Sequence, residues 1–414
     1  AIEEILPELI DSSLRREIAF HRREEDRRRD LIEEMDAEMK LLRGECAKRL
    51  KIIENYNIGA ANYLGKCSNR LRLLLNGAKR MLRFNDWWYT KIPPFLSMGY
   101  MMAILGGIDI YSSIILIGGV LFSILCVAAY GHVINDIFDI EEDRRSGSSN
   151  AMAGRSVQFR WVASIGLLSA GFVPAILIGL SLPWMGLLMV NYLLPTLYSV
   201  PPIRVKERGL WGILFDAGGS HITPTLLLML AFLAKSLEGY TNSSLVLIAM
   251  IVWSFVLGFK GIVYHQMADW DRDEISGNRT WVRSLSRERL RKLLPWYNFA
   301  IELPINLCLV GLFLPKSPVL ASGLAVYLLV ELLKNWRGFQ FALTSKLGDT
   351  RRSGPFANDL YYDCWFPFSL ALQLAIMDLH WVWLPLFHIL FFMPNFRVLV
   401  ADTRSIILHS LKRG

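Results

Sequence analysis

Asn135-Asp136-Ile-Phe-Asp139-Ile-Glu-Glu-Asp143 sets three carboxylates at i, i+3 and i+7. On a helix that spacing puts them on one face. Carboxylates side by side repel one another, and next to an apolar run the repulsion is severe unless cations lie between them. Mg²⁺ suits such a set, because it takes oxygen ligands, keeps waters and is commonly shared between carboxylates and substrate phosphates. A second acidic run, His265-Gln266-Met-Ala-Asp269-Trp-Asp271-Arg-Asp273-Glu-Ile-Ser-Gly277-Asn-Arg-Thr280, also closes an apolar stretch. Asp269 and Asp273 share a face at i, i+4, Asp271 points elsewhere, and Gly277 suits a helix end. Between the two runs lies Tyr198-Ser199-Val-Pro201-Pro202-Ile-Arg204-Val-Lys206-Glu-Arg208-Gly209. Its prolines stop a helix, and its alternating Arg and Lys suit phosphate oxygens. Each segment alone has a plain reading as an acidic helix end or a basic helix stop. Their joint occurrence points to a metal-bridged phosphate.

The elements that carry these segments are apolar. Hydrophobic residues make up 53% of the 414 residues, above the usual soluble mix. Runs such as Ser113–Ala129, Val162–Leu182 and Leu245–Phe259 approach or reach the roughly 20 residues that cross a bilayer. The expectation is an all-α, polytopic membrane helical bundle. Spans are predicted near 94–109, 112–135, 160–180, 183–200, 210–234, 244–268, 294–314 and 317–334, with one or two more in 362–396. That makes nine or ten, with Asp378–His380 a break within the last region. Thirteen Trp and 14 Tyr fit the class, since both favour the membrane interface.

Charge orients the bundle. The loops near 136–159, 201–209, 269–293 and 335–361 are rich in Arg and Lys, whereas the opposite loops hold only Lys235 and Lys316. The first set is therefore expected on the cytoplasmic side, together with the N-terminus and every motif above. The net charge of +8 then reflects topology and contact with anionic lipid, and nucleic acid is not an expected partner. Cys46, Cys67, Cys126, Cys308 and Cys364 show no CxxC spacing, so neither a disulfide framework nor a zinc site is expected. No secretory signal is expected at the start of the sequence.

Four segments follow. Residues 1–57 read as a charged cytoplasmic helical arm, with Glu24, Glu25 and Asp26 close to Arg27, Arg28 and Arg29 at spacings that pair across a helical turn. It is a candidate surface for a protein partner. Residues 58–93 read as an interfacial amphipathic segment, in which Leu71, Leu73, Leu74 and Leu75 alternate with Arg70, Arg72, Lys79 and Arg80. There Trp87, Trp88 and Tyr89 form an aromatic anchor and Pro93–Pro94 introduce the first span. Residues 94–400 form the transmembrane domain, and 401–414 a basic cytoplasmic tail.

The three motifs together resemble the UbiA superfamily of intramembrane prenyltransferases. Asn135-Asp136-x-x-Asp139-x-x-x-Asp143 is similar to its first Asp-rich motif, and Asp269-x-x-x-Asp273-x-x-x-Gly277-x-x-Thr280 to its second. Tyr198-Ser-x-Pro-Pro-x-Arg204-x-Lys206-x-Arg208-Gly209 resembles the loop between them. The likeness spans roughly residues 80–400. It implies a helical bundle around a central cavity open to lipid. Within it, Asp136, Asp139, Asp143, Asp269 and Asp273 would hold Mg²⁺ on the diphosphate of a prenyl donor. Arg155, Arg204 and Lys206 would add positive charge, and Asn135, Tyr198 and Gln266 polar contacts. The acceptor would be lipophilic or aromatic. Lys260, an intramembrane lysine, faces the bundle interior as a substrate contact or snorkels to the cytoplasmic side. One stretch departs from the family: Ser148-Ser149-Asn150-Ala-Met-Ala153-Gly154-Arg155 keeps the Gly-Arg end but lacks the Arg-Pro step of many members. Phosphoribosyl-type transfer to a polyprenyl phosphate and terpene cyclisation use the same scaffold. A transporter or a non-catalytic scaffold fits the motifs less well.

Overall fold

Away from water, long apolar runs satisfy their own backbone polar groups best as helices. The computed structural model describes residues 25–30, 32–51, 84–236, 238–277, 280–336, 356 and 359–411. These form helices and connecting turns with no strand, apart from one isolated parallel bridge between Gly209 and Thr280. The first 24 residues of the arm, the leucine-rich segment with Cys67, the span 337–355 and residues 412–414 lie outside the described residues.

The chain divides into two units, Ala1–Gly77 and Ala78–Gly414. In the first, residues 25–30 and 32–51 are helical and exposed throughout, apolar side chains such as Met35 and Leu42 included. The second contains α1 (Phe84–Gly106), α2 (Ile110–Phe138), the short α3 (Ile140–Ser146), α4 (Val157–Leu177), α5 (Leu182–Ser199) and α6 (Leu210–Lys235). It continues through α7 (Ser244–Ala268), the short α8 (Trp270–Ser276) and α9 (Trp281–Ser284), α10 (Arg287–Phe313), α11 (Pro318–Trp336), α12 (Phe366–Met377), α13 (Trp383–Phe391) and α14 (Met393–Leu411).

Among the described residues, α2, α4, α6, α7 and α10 are long and apolar enough to cross a membrane, and the pair Leu379–Phe391 and Met393–Arg404, bent by 77°, passes together. Starts are capped as the sequence dictates. Asp109 accepts from the Ser112 amide at 2.9 Å, Ser156 from Phe159 at 3.2 Å and Ser286 from Arg289 at 3.2 Å. Small residues let helices close on one another. The Ser123 hydroxyl on α2 donates to the Gly171 carbonyl on α4 at 2.7 Å, and a side chain at Gly171 would collide with the Tyr192 hydroxyl. Buried Trp184 donates to the Leu227 carbonyl at 2.8 Å, tying α5 to α6.

Three expectations need correction. Pro93 and Pro94 do not introduce the first span; they lie inside α1. A proline removes the N–H that the carbonyl four residues back would use. Here buried Asn395 of α14 donates to the Tyr89 carbonyl at 2.9 Å in place of the missing Pro93 N–H. The same amide donates to the Asp363 carbonyl at 3.1 Å, which Pro367 cannot serve. Second, the last apolar region breaks twice, at Asp378 and at the bend between α13 and α14. Third, residues expected as a tail from 401 continue α14 to Leu411, with Asp402 buried and 2.6 Å from Lys334.

Candidate active site

Two helix breaks build the site. At the end of α2, Asp139 takes φ −103°, ψ 7° and opens α3; at the end of α7, Asp269 takes φ −90°, ψ 2° and opens α8. The backbone ladder runs across both: Asp139 N donates to Asn135 O at 2.9 Å and Asp143 N to Asp139 O at 2.8 Å, while Asp269 N donates to His265 O at 3.0 Å and Asp273 N to Asp269 O at 2.9 Å. Each short helix has seven residues and ends on a left-handed glycine, Gly147 with φ 69° or Gly277 with φ 81°, a conformation open to glycine without penalty. Asp139 thus matches Asp269, and Asp143 matches Asp273. The two short helices pack against each other, which brings both acidic motifs to one place.

The basic loop closes over the first motif. Arg204 adopts a left-handed backbone, φ 38°, and leads into a single turn at Val205–Glu207. The Lys206 ammonium donates to both oxygens of Asp139, at 2.6 and 2.5 Å, and to Asn135 Oδ1 at 3.4 Å. The Arg204 guanidinium reaches Asp139 at 3.0 Å and also pairs with Glu142 and Glu207. The Ser199 hydroxyl donates to Asn135 Oδ1 at 3.2 Å. The bridge between Gly209 and Thr280 ties the far end of this loop to the second motif. Burial pushes the Glu142 carboxyl above its ordinary range, against the pull of Lys206 and Arg204. Burial also opposes the Arg204 charge, but Asp139 and Glu142 outweigh it and raise its pKa.

The stretch that departs from the family holds the first motif from the other side. Asn150 Nδ2 donates to Asp143 Oδ2 and to the Asp136 carbonyl, both at 2.8 Å, and the Ala151 amide donates to Asp136 Oδ2 at 3.1 Å. On the second motif, Asp269 meets His265 Nδ1 at 2.9 Å, and Arg283 donates to the Asp273 carbonyl at 2.8 Å. The Tyr198 hydroxyl stands within electrostatic reach of Asp216, Asp273, Asp139 and Asp269, so it marks where the two motifs converge.

Most of the sequence-predicted residues therefore lie at one site: Asn135, Asp136, Asp139, Asp143, Tyr198, Arg204, Lys206, Asp269 and Asp273. Gln266 lies beside them, its carbonyl oxygen accepting from the Val282 amide at 3.3 Å. Two residues have other engagements. Arg155 is exposed and stacks over the Phe159 ring at 5.2 Å. Lys260 neither snorkels nor meets a motif carboxylate: its buried ammonium lies 3.0 Å from Glu302, 3.2 Å from Asp359 and 2.7 Å from the Phe356 carbonyl. Sequence reasoning missed Glu142, Asn150 and Asp216. Glu142 was legible, since it falls three residues after Asp139 on the same face. Asn150 and Asp216 carried no local signal.

Among the described residues no three His, Cys, Asp or Glu side chains already converge on one metal position. The donor set still fits Mg²⁺, which is commonly bound by one or two carboxylates plus substrate phosphates and waters and seldom by an all-protein cage. Every motif donor is a hard oxygen, and the carboxylates of Asp216, Asp273, Asp139 and Asp269 all act on Tyr198.

The model of the UbiA prenyltransferase family matches residues 92–341. No curated protein matches the chain. Among solved structures, a UbiA homolog from Archaeoglobus fulgidus bound to DMAPP and Mg²⁺ is 16% identical, with a TM-score of 0.42 over 78% of this chain and 98% of that one. The same homolog bound to GPP and Mg²⁺ gives 16% identity and a TM-score of 0.43 over 78% and 99%. A structure described for digeranylgeranylglyceryl phosphate synthase in membranes gives 16% and 0.40 over 82% and 99%.

Proposed function

This chain belongs to the UbiA prenyltransferase family, and from that premise we propose that it transfers a prenyl group from a prenyl diphosphate to a lipophilic or aromatic acceptor, releasing pyrophosphate. The observation that carries the reading is the packing of two equivalent Asp-bearing helix ends on each other, with the Arg204–Lys206 loop against the first.

Asp136, Asp139, Asp143, Asp269 and Asp273 would hold Mg²⁺, which supplies Lewis-acid stabilisation of the departing pyrophosphate. Lys206 and Arg204 offer fixed positive charge where negative charge builds on the leaving oxygens. The C1–O bond of the donor breaks with its electron pair going to pyrophosphate. A nucleophilic carbon or oxygen of the acceptor then bonds to C1 and gives up a proton. Asn135, Tyr198 and Gln266 orient the donor. Asn150 holds Asp136 and Asp143 in place. The apolar walls of a central cavity keep water from the allylic cation. Nine or ten crossings, with the motif loops and the N-terminus on the cytoplasmic side, complete the arrangement.

The test is pyrophosphate release by the purified protein in nanodiscs, with Mg²⁺ and prenyl diphosphates of increasing length, with and without a membrane lipid extract. Release that requires both Mg²⁺ and extract supports transfer. Release without extract points to cyclisation or hydrolysis, and no release from any prenyl donor by the folded protein overturns the proposal.

A further inference from the structure

A cavity lies apart from the carboxylates. Phe259 and Val263 of α7, Trp281 of α9 and Leu290, Leu294 and Tyr297 of α10 enclose about 320 Å³, within the range of small-molecule sites, about 300–1,000 Å³. None of its lining residues is a motif carboxylate or belongs to the basic loop. Lys260 and Tyr297 border it, but their polar atoms are engaged elsewhere: the Lys260 ammonium with Glu302 and Asp359, and the Tyr297 hydroxyl as donor to the Val256 carbonyl at 2.7 Å. What faces the cavity is therefore hydrocarbon and aromatic surface, which gives a headgroup or a sugar nothing to bond. Phe259 stacks on Tyr297 at 5.6 Å and meets Trp281 edge-on at 6.0 Å, a flat-walled slot that suits a linear chain.

The mouth has a different chemistry. The first turns of α10 carry Arg287, Arg289 and Lys292, of which Arg287 pairs with Asp271 and Lys292 with Glu288 at 3.1 Å. Arg289 precedes Leu293 by four residues and Lys292 precedes Trp296 by four, so each basic residue shares a helix face with an apolar rim residue. Arg289, Lys292, Leu293 and Trp296 are all exposed. A helix that buries Leu290 and Leu294 and sets exposed Leu and Trp among basic residues is the pattern of a segment at the headgroup level of a membrane. Apolar slot and basic rim together match one amphiphile with a hydrocarbon tail and a negative head.

We propose that this cavity is a binding site for an anionic phospholipid, one acyl chain lying in the slot and the phosphate held by Arg289 and Lys292. The occupant braces the wall made by Trp281, whose neighbours are tied to the catalytic region through the Thr280–Gly209 bridge and the Val282 amide to Gln266.

The test uses the full chain in nanodiscs with phosphatidylglycerol carrying a photoactivatable group at its acyl terminus, beside phosphatidylcholine with the same chain, and maps labelled peptides by mass spectrometry. The expected result is labelling concentrated on residues 259–263 and 290–301, with phosphatidylglycerol favoured by roughly fivefold for each basic residue. Ala300→Phe, an exposed rim position, fills the cavity and removes the concentrated labelling. Arg289→Ala with Lys292→Ala reduces phosphatidylglycerol to the level of phosphatidylcholine. Both substitutions are at exposed sites, and a thermal melt confirms that the variants fold. Label spread evenly over the helices, or unchanged in Ala300→Phe, overturns the site. Equal labelling by both lipids in the unaltered protein overturns the anionic preference.

Discussion

Asp139 and Asp269 occupy the same place in two helix breaks, each closing a long apolar helix, each opening a seven-residue helix, and each followed eight residues later by a left-handed glycine. They differ in their partners. Asp139 is held by Lys206 and Arg204, whereas Asp269 is met by His265. The two halves of the site thus share a backbone plan but differ in these basic partners.

That difference predicts unequal outcomes for the same substitution. Asp139→Asn and Asp269→Asn should each lower pyrophosphate release on the order of 100-fold. Asp139→Asn also removes the main carboxylate partner of Lys206, while Arg204 keeps Glu142 and Glu207, so it should weaken Mg²⁺ activation while donor KM falls or holds. Asp269→Asn should raise the Mg²⁺ requirement without improving donor KM. Titrating both variants with Mg²⁺ and donor separates them.

Asn150 predicts a positioning effect. Asn150→Ala removes a hydrogen bond to a charged carboxylate, an interaction of about 1.5–3 kcal/mol. It should raise the Mg²⁺ concentration for half activity by roughly tenfold. Asn150→Asp replaces the donor with a negative charge beside Asp143 and should be worse than Ala. An Asn150→Asp protein with unchanged Mg²⁺ dependence would show that Asn150 does not position the first motif.

Lys260 predicts a stability effect. Its ammonium is buried against Glu302 and Asp359, and the Tyr362 hydroxyl donates to the same Glu302 oxygen at 2.7 Å. Lys260→Met strands the buried Glu302 carboxylate and should destabilise the protein by about 3–5 kcal/mol. Adding Glu302→Gln should restore a large part of that. Melting temperatures in detergent test it, and turnover by the restored double variant shows whether Lys260 serves the substrate.

Asn395 predicts a coupling. Asn395→Leu leaves the Tyr89 and Asp363 carbonyls without their donor, at about 1–3 kcal/mol for each buried group. Pro93→Ala returns an N–H to the Tyr89 carbonyl, so Asn395→Leu should be less damaging in that background. A double-mutant cycle on thermal stability measures the difference.

The helices and the acidic motifs were legible because their signals are local. Apolar runs mark α2, α4, α6 and α7, and the spacing of Asp136, Asp139 and Asp143 marks a helix face. What escaped depends on partners distant in sequence. Pro93 reads as a helix stop until Asn395, 306 residues beyond Tyr89, supplies its replacement donor. Lys260 reads as a substrate contact until Glu302 and Asp359 are beside it. Asp216 sits in an apolar helix with no second acidic residue in its own segment, and the packing against α5 and α7 brings it to the site.

The Asn395 link also orders how the molecule comes into being. α1 emerges from the ribosome with a Tyr89 carbonyl that Pro93 cannot serve. Hundreds of residues must be made before its donor exists. Until then that carbonyl needs water or another donor, so α1 does not reach its final hydrogen-bonding pattern on its own. A chain stopped anywhere before Asn395 would carry its fault far from the truncation, in α1.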